Sequence, residues 1–196
     1  MHDSGEDFDL GLAFASAFAD LGASSPASDY DTSIEAGFYG SPGTDALAYT
    51  GQTTEFTCAV VSQQMILKQF GVDVSEARLV YDATANGWLT DAGTAPADVG
   101  QLLEYYGVRT HTHAGGGVES LIAELARGHK VIAAVDSGEL WGSDWFFEDW
   151  LQPQGADHAL VITGVDLSDP TSPKVFVNDP GEPGGAGRAY PLDRFL

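Results

Sequence analysis

Gln52-Thr53-Thr54-Glu55-Phe56-Thr57-Cys58-Ala59-Val60-Val61-Ser62-Gln63-Gln64-Met65-Ile66-Leu67-Lys68-Gln69-Phe70-Gly71 is the stretch on which the fold turns. Ala59 to Phe70 reads as a helix; Thr57 can cap its front and Gly71 stops its back. Cys58 then stands at a helix N-terminus, where orphan N–H groups and the positive end of the dipole favour a thiolate over a thiol. The Cys58 N–H is free there to donate to an oxyanion, and Gln52, on the entering loop, supplies a second donor.

A thiol nucleophile works with a base held on a rigid element. Asp157-His158-Ala159-Leu160-Val161-Ile162-Thr163-Gly164 places His158 at the mouth of a strong strand. A third group has to orient the imidazole, and Val175-Phe176-Val177-Asn178-Asp179-Pro180-Gly181 ends the next strand with two candidates side by side. Neighbouring strand residues face opposite ways, so only one of Asn178 and Asp179 can serve.

Further helices are predicted over Ser75–Asn86, Ala97–Tyr106 and Gly117–Ala126, each closed by or just after a glycine or small residue. Beyond residue 130 the character changes to short β-branched runs at 130–135, 159–165 and 174–178. Helices first and strands afterwards indicate an α+β fold. No repeat of a few tens of residues is visible, which argues against a solenoid or propeller.

The first 44 residues differ from the rest. From Phe8 to Leu21 the apolar residues mix helical with alternating spacing, giving a short amphipathic helix; Gly22 to Thr44 has the composition of a flexible linker. The expected organisation is an acidic N-terminal segment, 1–44, with partner docking as a role for its helix, followed by one domain, 45–196.

The 29 acidic and 8 basic residues give a formal charge of -21, and the first Lys or Arg is Lys68. Such a field opposes nucleic acid and anionic membrane surfaces. The acidic N-terminus lacks the pattern of a secretory signal, no run approaches membrane-spanning length, and a single cysteine rules out an internal disulfide and a multi-cysteine zinc site. A cytoplasmic location is the expectation.

The order Gln52, Cys58, His158 and the Asn178-Asp179-Pro180 strand end resembles the papain-like cysteine peptidases. Within them the chain is most similar to the bacterial double-glycine-leader (bacteriocin-processing) peptidase family and its stand-alone relatives. The likeness runs from about residue 45 to Leu196 and includes Gly87-Trp88, Gly93-Thr94, Gly100-x-Leu102-Leu103 and Tyr190-x-Leu192-x-x-Phe195. It implies a papain-like fold, with an N-terminal helical half carrying the Cys helix packed on a C-terminal antiparallel sheet carrying His and Asp. It also implies Asp179, rather than Asn178, as the partner of His158.

The expected activity is peptide-bond hydrolysis by Cys58, His158 and Asp179 through a thioester, with Gln52 in the oxyanion hole, no cofactor, no metal, and a peptide or protein as substrate. The alternatives are a catalytically silent module that binds a peptide or partner protein, and an acyltransferase using the same three residues. Trp141, Trp145, Phe146, Phe147 and Trp150 crowd an acidic loop between strands; Trp141 and Trp88 are the candidates for a substrate cleft, with core packing as the other role for both. His111 and His113 read as residues of a polar strand rather than a metal pair, and His129 as an exposed turn residue.

Overall fold

A computed structural model describes residues 13–18, 37–113, 117–141 and 157–195. Its strands are β1 (Ala13–Phe18), β2 (Phe38–Gly40), β3 (Arg109–His113), β4 (Lys130–Val135), β5 (His158–Asp166), β6 (Lys174–Asn178) and β7 (Arg188–Pro191). Its helices are α1 (Pro42–Asp45), α2 (Cys58–Gln69), α3 (Glu76–Ala85), α4 (Gln101–Tyr105), α5 (Val118–Ala126) and α6 (Ser137–Trp141). The strands form one antiparallel sheet in the order β3-β1-β4-β5-β6-β7, with β2 pairing the far half of β5. The α+β class and the packing of the Cys helix on an antiparallel sheet agree with the sequence.

Helices cover both faces of the sheet, and the alternation along the strands divides the core in two. Val131, Ala133, Leu160, Ile162, Val175 and Val177 pack with Leu121, Ile122 and Leu125 of α5. Ile132, Ala159 and Val161 point the other way, into a second cluster with Val60, Val61, Met65 and Ile66 of α2 and Leu79, Leu102 and Leu103 of α3 and α4. Burial on both faces explains why β5 is a continuous apolar run rather than an alternating one. Tyr190, Leu192 and Phe195 close the α5 side of the core.

α2 is buried nearly all round, and its polar residues Ser62, Gln63 and Gln64 find partners inside the protein. Gln63 is 1% exposed; its Oε1 accepts the N–H groups of Gly100 and Leu102 at 3.0 and 3.2 Å, capping α4 from outside. The single helix expected over Ala97–Tyr106 is divided: a 3-10 turn at Pro96–Asp98 precedes α4, and Gly100 between them has φ 105°. That left-handed residue stops one element and opens the next.

The N-terminal expectations need correction. Within Phe8–Leu21, the described residues 13–18 are a strand between β3 and β4, not an amphipathic helix; the rest of that segment lies outside the described residues. Ala15, Ser16 and Ala17 are buried. Tertiary pairing overrides the weak local preference of an Ala-rich hexapeptide. Within Gly22–Thr44, β2 and most of α1 are ordered against β5. Glycine serves close approach there: a Cβ on Gly40 would lie 2.4 Å from the Thr163 carbonyl oxygen, and one on Gly164 2.8 Å from that of Tyr39. Among the described residues no helix is long and apolar enough to cross a membrane.

Candidate active site

Cys58 is the first residue of α2 and is half-buried. The loop before it is pinned from two sides. The Gln52 N–H donates to the Pro180 carbonyl at 2.9 Å, and the Gln52 side-chain Nε2 donates to the Thr54 carbonyl at 2.8 Å. Thr57 occupies the cap position but makes no side-chain cap bond, contrary to expectation. Its hydroxyl lies 2.8 Å from Glu76 Oε1 and 3.1 Å from the Thr54 carbonyl.

His158 opens β5 and is buried. Its Nε2 lies 2.7 Å from Asp179 Oδ1, and the Cys58 side chain is close enough to act on the charge of the ring. Burial pushes the imidazole towards its neutral form, but the hydrogen bonds and charges of Asp179 and Cys58 outweigh it and raise the pKa from 6.5 to about 9. In the charged form both ring nitrogens are donors, so Nε2–H donates to Asp179 and Nδ1 is left for the sulfur.

Asp179 is fully buried, and the chain after it folds back to hold it. Its Oδ1 also accepts the Gly181 N–H at 2.9 Å, and its own N–H donates to the Gly185 carbonyl at 3.0 Å. A Cβ on Gly185 would lie 2.2 Å from the Asp179 carbonyl oxygen, so this return needs glycine. Asn178 bonds elsewhere: its Nδ2 donates to the Asp45 carbonyl and its Oδ1 accepts from the Gly187 N–H. Of the two candidates ending β6, Asp179 is the one bonded to His158.

The structure thus joins His158 to Asp179, brings the Cys58 side chain close enough to act on the charge of His158, and hangs the Gln52 loop on Pro180, next to Asp179. Trp88 is half-buried against the α2 cluster with its ring edge-on to Tyr105. Trp141 ends α6 with its side chain outside the described part, as are Trp145, Phe146, Phe147 and Trp150. Among the described residues no group of three or more His, Cys, Asp or Glu is arranged to hold a metal.

Two residues that hold the site were not singled out from sequence. Ser62, one turn into α2 and fully buried, donates to the Ala159 carbonyl at 3.1 Å, tying the Cys helix to the strand beside His158. Glu76 bonds the Cys58 loop although it belongs to α3. A serine among apolar residues of a buried helix is a visible signal for the first; the second reads in sequence only as the residue after the Ser75 cap.

The family described as Peptidase_C39 like family matches residues 44–196. Three curated proteins, one from Mycobacterium bovis and two from strains of Mycobacterium tuberculosis, are each 28% identical to this chain over 212 residues, covering 94% of it and 88% of the relative. All three are named as uncharacterised proteins. No solved structure matches.

Proposed function

Because the chain belongs to the Peptidase_C39 like family, we propose that it is a cysteine peptidase with Cys58 as nucleophile, His158 as base and Asp179 as the group that orients the imidazole. The observation that carries this reading is the position of His158, bonded to a buried carboxylate and beside the one cysteine of the chain, whose side chain acts with Asp179 to raise its pKa.

His158 takes the Cys58 proton, and the sulfur adds to the carbonyl carbon of the peptide bond. The oxyanion that forms is met by the Cys58 N–H at the helix N-terminus and by Gln52, whose Nε2 keeps a second hydrogen beyond the one given to Thr54. His158 then passes its proton to the departing amine, leaving a thioester on Cys58. Water, deprotonated by His158, attacks the thioester, releases the acid and restores the thiol. Asp179 stabilises the imidazolium at each step where it forms, and its bond to Nε2 fixes the ring. The substrate is a peptide or protein. A reducing cytoplasm, which keeps a lone thiol free, suits this chemistry.

The test is alkylation of Cys58 by iodoacetamide from about pH 4 to about pH 9, wild type beside His158→Ala, since an ordinary thiol reacts only near its pKa of about 8.5. The expected wild-type profile extends well below that value and loses its low-pH limb in His158→Ala. Identical profiles would sink the proposal and leave a binding module as the better reading.

A further inference from the structure

Glu76 is the first residue of α3, yet its carboxylate reaches the loop that delivers Cys58. Oε1 accepts the Thr53 N–H at 3.1 Å and lies 2.8 Å from the Thr57 hydroxyl. The Thr57 oxygen in turn lies 3.1 Å from Thr54 Oγ1, which donates to it. Thr57 is buried, so its hydroxyl has few other partners to choose from. Its proton is directed at Glu76 or the Thr54 carbonyl, and its lone pair is taken by Thr54.

An N-cap threonine ordinarily sits in extended backbone, and its oxygen accepts an N–H of the first helical turn. Thr57 has φ -101° and ψ 12° and makes no such bond. The first-turn N–H groups of α2 therefore carry no side-chain cap from the residue placed to supply one, at the end of the helix that bears the nucleophile. We infer that Glu76 is a positioning residue for Cys58: by holding the Thr53 N–H and the Thr57 hydroxyl it fixes the loop between Gln52 and Cys58, and so keeps the two oxyanion donors, Gln52 and the Cys58 N–H, in place for the substrate. This rests on the peptidase reading. Glu76 touches neither substrate nor sulfur in this role and acts through Thr57 and Thr53.

The test compares two reactions of Cys58 in the full chain. Alkylation by iodoacetamide displaces iodide from a saturated carbon and forms no oxyanion. Acetylation by p-nitrophenyl acetate passes through one: the sulfur bonds to the acyl carbon, and p-nitrophenolate leaves with the electrons of the broken C–O bond. Glu76→Ala should slow acetylation about tenfold more than alkylation, a fraction of the loss seen when an oxyanion donor is removed outright. Glu76→Gln keeps an acceptor at Oε1 and should hold the ratio of the two rates within about threefold of wild type.

Alkylation also reports whether the site has folded in each variant. Equal slowing of both reactions in Glu76→Ala, or a Gln variant as impaired as the Ala variant, would overturn the role of Glu76 while leaving the peptidase reading intact. A wild-type Cys58 whose alkylation ignores His158 would overturn both.

Discussion

Burial alone would leave His158 neutral at neutral pH; the Asp179 carboxylate and the Cys58 side chain reverse that. The folded pKa of about 9 lies above the ordinary 6.5, so the native state binds the His158 proton more tightly than the unfolded chain does. That contribution to stability is fully present below about pH 6.5 and is lost as pH rises through about 9. Asp179→Asn removes the anion while keeping the shape of the side chain. It should lower the His158 titration midpoint, followed by NMR of the ring protons, and flatten the fall in Tm between pH 6.5 and 9 seen for the wild type. A His158 midpoint that ignores Asp179→Asn would mean that the 2.7 Å contact does not set the charge of the ring. The contrast with Asn178 is instructive, because two adjacent residues of similar shape have unrelated partners. One holds the imidazole; the other fastens the end of β6 to Asp45 and Gly187.

At the scale of elements, α2 is the piece around which the helical half is assembled, and its buried polar residues set where its neighbours sit. Ser62 fixes α2 against β5, and Gln63 fixes α4 against α2. Gln63→Met keeps most of the volume but leaves the Gly100 and Leu102 N–H groups buried without an acceptor. An unsatisfied buried donor costs about 1–3 kcal/mol, so the variant should lose on the order of 3 kcal/mol in urea unfolding, with a lower midpoint and an unchanged slope. A midpoint equal to wild type would show that α4 finds other caps. The helix itself was legible from Thr57 to Gly71 because apolar periodicity and a terminal glycine are local signals. The failure of Thr57 to cap it was not, because the competing acceptor, Glu76, arrives from the next helix.

At the scale of the whole molecule, β1 fills the space between β3 and β4, which would otherwise face each other across a gap one strand wide. Removing residues 1–18 would leave two strands unpaired along one side and uncover the α2 core beneath Ala17. The truncated chain should lose its cooperative thermal transition by circular dichroism or melt far below wild type. A truncated chain with unchanged Tm and faster turnover would instead make the segment a removable inhibitor. Read alone, the sequence determined the α+β class, the extents of α2, α3 and α5, and the strands that His158 opens and Asp179 follows. Each of these rests on signals within a short window: periodicity, caps, β-branched runs and strand-end motifs. It did not determine that a short Ala-rich run is a sheet strand, that Gly40 marks close backbone packing rather than a linker, or that Glu76 braces the Cys58 loop. Those were decided by tertiary structure, because a strand is stabilised by its neighbours, a glycine by what approaches it and a carboxylate by the donors brought to it, all distant along the chain.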